Sequence, residues 1–446
     1  MILKTEFQKK FETSVIVNCN VEKEDLILVA LSGGADSVAL LHLFKELNYS
    51  IIAAHCNFHL RGEESNEDEE FVTQLCEEMD IPLKTNHFDT VKYADDNKIS
   101  IEMAARELRY NWFEELKNEM SLNFIATGHH GDDSIETFFI NLIRGTGLKG
   151  LTGIAWKNES LIRPMLFASA TEIKDYCKEN NLDYRTDSTN YETIYYRNKI
   201  RLNVIPVLRK MNPSFFQTMQ NNMEYLAENE MIVEEQLENF SNQIIAREED
   251  LVLVPIKSVL EYSFPKNLLL HIFQPFGFSG NQVSQIITSL NSTSGKQFFS
   301  NNYRIVKDRF NLILTPKDKL DDVVYKIAAG QRVVDLPINM NINIIDKTES
   351  FKFSTNPHLV HLDVDKLTFP LFLRHPQEGD RFQPLGMTNF KKLSDFFIDN
   401  KLSLIEKEQT WLLLSGEDIV WVVGQRIDNR YKITKETERI LQIELF

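Results

Sequence analysis

One short stretch of the chain brings glycines, hydroxyls and a carboxylate together between two apolar runs. Its members are Ser32, Gly33, Gly34, Ala35, Asp36 and Ser37. An apolar run at 26–31 precedes the stretch and a helix-like run at 38–44 follows it, which is typical of a strand, a turn and a helix. Such a turn lets the backbone approach an anion, and the helix start offers unpaired N–H groups. The stretch predicts a phosphate-binding loop, and the alternative is an ordinary strand-to-helix turn.

The loop lacks the lysine of GxxxxGK[ST], so it is not a Walker A loop built for γ-phosphoryl transfer. A carboxylate inside an anion-binding loop is typical of a Mg²⁺ site, in which the ion bridges the carboxylate and the phosphates. Asp36 is therefore the first candidate metal ligand.

Two adjacent histidines, His129 and His130, precede a helix-like run that starts near Asp132. Neighbouring residues on a helix do not easily face one ion, so the pair favours substrate contact over a zinc site. Asp132 is a second candidate for binding Mg²⁺ beside Asp36.

Two pairs of charged residues are spaced three apart, so each pair can share one helix face. The first is Asp133 with Glu136, whose alternative role is charge compensation at a helix start. The second is Arg106 with Arg109, whose alternative role is a surface salt bridge.

The elements that must position these residues alternate along the first third of the chain. We expect strands at 26–31, 50–56, 82–88 and 123–127, and helices at 37–47, 65–79, 100–120 and 132–144. This alternation predicts a Rossmann-like α/β fold with a doubly wound parallel sheet. Ligands bind beyond the carboxyl ends of such strands, where the three polar segments at 32–37, 55–57 and 128–136 would emerge.

The pattern of polar and apolar residues changes after Pro213, and the sequence predicts four segments in the whole chain. They are a catalytic domain at 1–213, a mostly helical domain at 214–320, a β-type connecting segment at 321–360 and a small α+β domain at 361–446.

The motifs stand in a characteristic order. They are SGGADS at 32–37, HCN at 55–57, RGEES at 61–65, EMAAR at 102–106, HHGDDSIET at 129–137, RGTG at 144–147, RP at 163–164, DSTN at 187–190, RNKIR at 197–201 and the segment 379–397. Together they resemble the tRNA(Ile)-lysidine synthetase family, which belongs to the PP-loop, or N-type, ATP pyrophosphatases.

The resemblance implies a ligase that uses ATP and Mg²⁺ to attach free L-lysine to carbon 2 of the wobble cytidine of tRNA(Ile) with a CAU anticodon. An adenylated tRNA intermediate would form, with AMP and pyrophosphate released. The segments 214–320 and 361–446 would contact tRNA.

The resemblance also assigns roles to residues. ATP contacts are expected from the loop at 32–37 and from His55, Asn57 and Gly128. Catalytic roles are expected for Asp36, Arg106, Arg109, Asp132, Asp133 and Glu136. Contacts to lysine or tRNA are expected from His129, Asp133, Glu136, Arg144, Arg197, Arg201, Lys391 and Lys392.

Composition narrows the alternatives. The 446 residues include four cysteines without a CxxC pair, which weighs against tRNA thiolases that need paired cysteines. No obvious glutaminase domain is present, which weighs against an amidating ligase. No signal-like or long apolar run appears, so we expect a cytoplasmic protein without a membrane partner. The sequence leaves open whether the chain forms a homodimer.

The net charge of −16 would argue against nucleic-acid binding if it were spread evenly over the chain. Basic residues cluster at 197–210 and at 374–432, and these clusters are candidates for facing tRNA. The alternative for each such residue is solvated surface. A non-catalytic, nucleotide-regulated RNA-binding protein is the rival from another class, and the carboxylates around the loop weigh against it.

Overall fold

The computed structural model describes residues 4–185, 196–248, 250–317, 323–348, 351, 356 and 358–446. The chain divides into two compact units, Met1–Val233 and Glu234–Phe446. No helix within the described ranges combines the length and the apolar character needed to cross a membrane.

The first unit is built on a six-stranded sheet. Its strands are β1 Leu26–Ala30, β2 Ser50–Asn57, β3 Leu83–His87, β4 Phe124–Ala126, β5 Lys157–Asn158 and β6 Leu161–Ile162. The strand order is β3-β2-β1-β4-β6-β5, and every neighbouring pair is parallel except β5 with β6.

Helices cover both faces of this sheet. They are α1 Glu6–Thr13, α2 Ala35–Glu46, α3 Glu63–Glu78, α4 Thr90–Asn97, α5 Ile101–Glu119, α6 Gly131–Arg144, α7 Ala170–Glu179, α8 Tyr196–Lys199, α9 Ile205–Met211 and α10 Phe215–Ile244, which continues into the second unit.

Successive side chains of β1 point to opposite faces of the sheet, and each face is covered by its own layer of helices. Ile27 and Val29 point into the core with α1, α2 and α7, whereas Leu28 points into the core with Trp112 and Phe113 of α5. A parallel sheet buried on both faces is the predicted doubly wound α/β fold, which is confirmed. The order of the strands reverses between β1 and β4, and a ligand crevice is expected beyond their carboxyl ends.

The first part of the second unit combines helices with an antiparallel sheet. The helices are α11 Ile256–Glu261, α12 Pro265–Phe273 and α13 Gly280–Ser289, and the strands are β7 Ala246–Glu248, β8 Leu251–Pro255, β9 Lys296–Phe299, β10 Tyr303–Lys307 and β11 Asn311–Pro316. The sheet order is β7-β8-β11-β10-β9. The helices enclose an apolar core with one face of this sheet.

The remainder of the chain is rich in strands. They are β12 Tyr325–Ile327, β13 Val333–Val334, β14 Met340–Asp346, β15 Leu359–Asp363, β16 Leu371–Arg374, β17 Arg381–Phe382, β18 Lys391–Lys392, β19 Leu412–Ser415, β20 Asp418–Val422, β21 Arg426–Ile427 and β22 Arg439–Leu445, with helices α14 Leu393–Asp399 and α15 Leu404–Gln409.

These strands form three sheets, β12-β16-β19-β20-β21, β13-β14-β22-β15 and β17-β18. Strand β12 pairs with β16, and β14 pairs with β22 along seven residues. The segment expected to connect two domains at 321–360 therefore supplies strands to the C-terminal sheets. The domain boundaries taken from the sequence stay predictions.

Candidate active site

The loop between β1 and α2 is shaped by its own polar groups. Gly33 has a φ of +85°, which an L side chain rarely adopts, so glycine suits this position. The Ser32 N–H donates to Ser37 Oγ at 3.1 Å, and Ser37 Oγ donates to the Gly34 carbonyl at 3.0 Å. The buried Ser37 hydroxyl is thus used to hold the loop. The first-turn N–H groups of α2, which have no acceptor within the helix, are the groups suited to an anion.

The loop is also fixed from outside. The Arg185 N–H donates to the Gly33 carbonyl at 2.9 Å, and the guanidinium of Arg185 pairs with Asp68 of α3 at 3.0 Å. The segment after α7 and the start of α3 therefore hold the phosphate loop in place.

Gly128 follows β4 and lies against the start of α2. A Cβ at this position would be 3.1 Å from the Asp36 carbonyl carbon and 3.2 Å from the Ser37 nitrogen. The absence of a side chain allows the end of β4 to approach the loop after β1. The two polar segments at 32–37 and 128–136 therefore meet, as the sequence predicts.

We expect Gly128→Ala to weaken ATP binding by about 5- to 160-fold, because overpacking against backbone costs about 1–3 kcal/mol. The matched control is Gly147→Ala, since a Cβ at Gly147 would meet nothing within 4 Å and its φ is −78°. Titration of both variants with ATP measures the difference. Equal affinities would show that the start of α2 can move without affecting the nucleotide.

His55 and Asn57 end β2 and have partners within the fold. His55 is buried, and its Nδ1 lies 2.9 Å from the Leu31 carbonyl. Burial lowers the pKa of His55, so the imidazole is neutral at pH 7. Asn57 Nδ2 donates to Glu69 Oε2 of α3 at 2.7 Å. Both side chains hold the loops that border the crevice, and direct contact with ATP stays a prediction for them.

Asp36 projects from the first turn of α2 with 43% of its side chain exposed. Its Oδ2 lies 3.8 Å from Nε2 of His130. Burial in the crevice and the nearby Asp133 raise the pKa of Asp36, although His130 and Arg201 oppose that change. An accessible carboxylate beside a phosphate loop fits Mg²⁺, which is often bound by one or two carboxylates together with substrate phosphates. Within the described residues, no group of three or more His, Cys, Asp or Glu could hold a metal without such a substrate.

Asp132 has a different environment from Asp36. One of its carboxylate oxygens accepts from the Ala170 N–H at 2.9 Å at the start of α7, and the other accepts from the Arg209 guanidinium. The side chain is buried. These contacts argue against the expected role of Asp132 as a metal ligand, because both oxygens already join α6 to α7 and α9.

We expect Asp132→Asn to lower the free energy of unfolding by about 1–2 kcal/mol, since an ion pair and a helix cap are weakened together. Urea unfolding measures this change. The Mg²⁺ concentration that gives half-maximal activity should stay the same. A large rise in that Mg²⁺ concentration, with unchanged stability, would show that Asp132 is a metal ligand after all.

Asp133 and Glu136 lie at the start of α6 and face two arginines. Glu136 is 1% exposed and accepts both Nε and Nη2 of Arg201, at 2.6 and 3.1 Å. Arg197 Nε lies 3.4 Å from Glu136 Oε2, and Arg201 Nη2 lies 3.6 Å from Asp133 Oδ1. The two predicted carboxylates and the two predicted arginines are therefore brought together. Both carboxylates are paired with arginines in this structure, and contact with lysine stays a prediction for them.

The two carboxylates differ in basicity. Burial raises the pKa of Glu136, and the contact with Arg201 only partly offsets that rise. Burial acts in the same direction on Asp133, but His130, His129 and Arg197 together hold the pKa of Asp133 below its usual value. Glu136 is thus the stronger base of the pair.

His129 and His130 stand between the carboxylates and the phosphate loop. His130 Nε2 lies 3.6 Å from Asp133 Oδ2 and 3.8 Å from Asp36 Oδ2, so it connects the two candidate subsites. Burial lowers the pKa of His129 to about 4, assisted by Arg163, Arg106 and Arg197. His129 is therefore neutral at pH 7, and its Nδ1 shares a hydrogen bond with Thr127 Oγ1 at 2.8 Å.

The remaining predicted residues lie outside this cluster to different degrees. The guanidinium of Arg106 stacks on Tyr110 at 4.8 Å, and that of Arg109 stacks on Phe58 at 5.3 Å. Arg144 is exposed at the C-terminal end of α6, about 16 Å along the helix from Asp133. The motif at 187–190 lies outside the described residues.

Lys391 and Lys392 belong to the second unit, where they form β18. Lys391 pairs with Asp399, whereas Lys392 is exposed. Of these two neighbours, Lys392 has the ammonium that is accessible to an anion.

Comparison with known proteins covers nearly the whole chain. Residues 3–208 match the PP-loop domain, 247–317 the TilS substrate binding domain and 371–445 the TilS substrate C-terminal domain. The tRNA(Ile)-lysidine synthase of Parabacteroides distasonis is 42% identical over 415 residues, which cover 93% of this chain and 94% of that protein. The chain belongs to the tRNA(Ile)-lysidine synthase family. It is therefore a tRNA-modifying ligase with an ATP-using PP-loop domain.

Other members of the tRNA(Ile)-lysidine synthase family are similarly close. The synthase of Bacteroides thetaiotaomicron is 42% identical over 421 residues, 94% of this chain and 95% of that protein. The synthase of Porphyromonas gingivalis is 39% identical over 432 residues, 94% of each chain. The predicted family and enzyme class are confirmed.

The structure adds Arg209 and Arg163, which the sequence did not single out as site residues, and it gives a position to His130, which the sequence had named with His129 as a substrate contact. Arg209 is the partner of Asp132, His130 lies between Asp36 and Asp133, and Arg163 lies beside His129. All three occur in or near noted motifs or basic clusters, so proximity to a motif was the available signal. Their individual roles depend on which distant residue each one meets.

Proposed function

We propose that the chain attaches lysine to carbon 2 of the wobble cytidine of tRNA(Ile) with a CAU anticodon, through an adenylated tRNA, with release of AMP and pyrophosphate. The family supports the substrate, since its named members are tRNA(Ile)-lysidine synthases. The observation that carries the proposal is the continuity from Asp36 through His130 to Asp133, with contacts of 3.8 and 3.6 Å. A phosphate site and an ammonium site then share one crevice, as a reaction joining adenylation to amine attack requires.

In the first step, the carbonyl oxygen on carbon 2 of cytosine attacks the α-phosphate of ATP, and pyrophosphate leaves. The first-turn N–H groups of α2 bind the phosphates. Asp36 is the residue that would hold Mg²⁺, and a bound Mg²⁺ would supply Lewis-acid stabilisation of the charge on the leaving pyrophosphate. Gly128 keeps the end of β4 close enough for the second substrate to reach the same phosphate.

In the second step, the ε-amine of lysine adds to carbon 2, and AMP leaves with the oxygen. An ammonium group of lysine takes the place that Arg201 holds on Glu136 and Asp133 in this structure. A lysine side chain has a pKa of about 10.4, so the amine must lose a proton before it attacks. Glu136 is proposed as the acceptor, because burial raises its pKa and makes it a better base than Asp133.

The proposal is tested with α-labelled ATP, lysine and a tRNA(Ile) transcript with a CAU anticodon. Labelled AMP should form only when tRNA and lysine are both present, and a transcript with uridine at the wobble position should give none. AMP formation that needs a sulfur donor would indicate a thiolase instead. No AMP under any condition would indicate a nucleotide-regulated binding protein.

For tRNA binding, Lys392 is a sharper test than Lys391. We expect Lys392→Ala to weaken tRNA binding and to lower the log–log salt slope by about one, as loss of one phosphate contact does. Lys391→Ala is the matched control, because Asp399 already neutralises that ammonium. Affinities at several salt concentrations decide, and equal slopes for wild type and Lys392→Ala would make Lys392 solvated surface. A cytoplasmic location and a homodimer remain predictions.

A further inference from the structure

Arg163 continues β6 by one residue beside the end of β4. Ala126 pairs with Ile162, and the Thr127 N–H donates to the Ile162 carbonyl at 3.0 Å. Side chains alternate along strands, so Arg163 lies on the same face as Leu161, which packs against the core with α5. Arg163 therefore follows the last residue of β6 at the carboxyl edge of the sheet, on the side covered by α5.

The side chain of Arg163 is buried, and it forms no ion pair with a carboxylate in the part of the chain that the structure describes. It is 8% exposed, and its Nη1 donates to the Ala155 carbonyl at 2.7 Å. Its Nε is buried and has no hydrogen-bond partner among the residues that the structure describes. Buried guanidinium groups are normally paired, because an unpaired buried charge is costly.

The neighbours of Arg163 increase this cost. Burial lowers the pKa of Arg163, and the positive charge of Arg106 lowers it further. The groups that raise the pKa are Tyr110 and Cys19, whose side chains are neutral at pH 7. The described surroundings of Arg163 are therefore suited to an anion.

The position of Arg163 narrows the choice of anion. The phosphate loop follows β1, and β4 lies between β1 and β6, so ATP phosphates are bound elsewhere on the edge. A tRNA phosphate is reached more easily by exposed residues such as Arg197 than by a side chain that is 8% exposed. A small carboxylate can be enclosed, and the planar guanidinium fork matches it.

We propose that Arg163 binds the α-carboxylate of the lysine substrate. The proposal rests on the lysine-ligating function given above. Arg163 directly follows Ile162, whose carbonyl accepts from the Thr127 N–H at 3.0 Å, and Thr127 Oγ1 shares a hydrogen bond with His129 Nδ1 at 2.8 Å. Arg163 therefore lies at the same strand ends as the segment that leads into Asp133, and the charges of both residues act on His129. Free lysine carries the reacting ε-amine at one end and a carboxylate at the other, so it needs an acidic and a basic partner in the same crevice. Asp133 and Glu136 hold ammonium, and Arg163 distinguishes free lysine from amines that lack a carboxylate.

This assignment is tested by measuring how strongly lysine and two analogues bind, from lysine-dependent release of labelled AMP and its inhibition by each analogue. The probes are L-lysine, cadaverine, which lacks the α-carboxylate, and 6-aminohexanoate, which retains a carboxylate but lacks the α-ammonium. Arg163→Gln should weaken the binding of lysine and of 6-aminohexanoate by about 10- to 100-fold, because a charged hydrogen bond to the carboxylate is lost. Cadaverine should be unaffected, and so should lysine-independent transfer of labelled AMP to tRNA.

Arg163→Lys keeps the positive charge but loses the planar guanidinium. It should weaken lysine binding less than Arg163→Gln does, and it should leave cadaverine binding unchanged. It also serves if the Gln variant does not fold. Arg439→Gln, which removes an exposed arginine paired with Asp365, is the control for loss of a guanidinium. Equal weakening of lysine and cadaverine would show that Arg163 is only structural. Loss of tRNA affinity or of adenylation, with lysine unchanged, would assign it to a phosphate. Absence of lysine-dependent AMP in the wild type would instead refute the proposed function.

Discussion

Asp36→Ala is expected to reduce AMP formation by at least about 10³-fold, because a Mg²⁺ ligand at the phosphates supplies several kcal/mol of transition-state stabilisation. The side chain is 43% exposed and belongs to no apolar cluster, so the fold should persist. Release of labelled AMP from α-labelled ATP measures the loss, and circular dichroism and thermal unfolding confirm that the variant is folded.

Asp36→Asn separates charge from shape. It retains the size of the side chain and removes the negative charge that the metal needs, so it should be nearly as inactive as the alanine variant. Near-normal turnover in either folded variant would remove Asp36 from the metal site and, with it, the metal-assisted adenylation proposed here.

Glu136→Gln should stop the second step while adenylated tRNA still forms. Gln fills the same buried space but cannot accept a proton, and general bases contribute about 10²- to 10⁴-fold. The amide also cannot offer Arg201 or an ammonium group the charge that Glu136 offers. Rapid quench with α-labelled ATP should therefore show labelled tRNA accumulating and lysine-dependent AMP release falling.

The matched control for Glu136→Gln is Glu114→Gln. Glu114 also has two polar partners, Ser160 and Lys117, but it lies in α5 away from the carboxylate pair. It should retain full activity. Loss of adenylation in Glu136→Gln with unchanged lysine affinity would move Glu136 from the lysine site to ATP or the metal.

The sequence was sufficient for strands β1–β4 of the first unit and for the helices that follow them, because their signals are local, whereas β5 and β6 were not predicted. The apolar run at 26–31, the glycine turn and the following helix predict their own conformations, and the alternation of strands and helices fixes a parallel sheet. The carboxyl ends of parallel strands share one edge, so the meeting of the segments at 32–37 and 128–136 also followed from pattern alone.

The roles of individual charges could not be derived in this way. Asp132 and Asp133 are neighbours of one type, and they differ only because Ala170 and Arg209 meet the first and His130 and Arg201 meet the second. Those partners are set by tertiary packing over long sequence separations. Likewise, the short strand β12 has no pattern that reveals its pairing with β16.

The packing of α1 has a consequence for how the protein is synthesised. Phe7 stacks on Tyr176 of α7 at 5.0 Å, and Phe11 meets Phe44 of α2 at 5.1 Å within the same core. Phe7 thus waits for a partner that is made some 170 residues later, and at about 5–20 residues per second this interval lasts roughly 8–34 s. During that time, Phe11 can already meet Phe44, but the side of α1 that packs on α7 is open to chaperones and to other nascent chains. Fragments that end before α7 should accordingly aggregate, and the domain should become protease-resistant only after α7 has emerged.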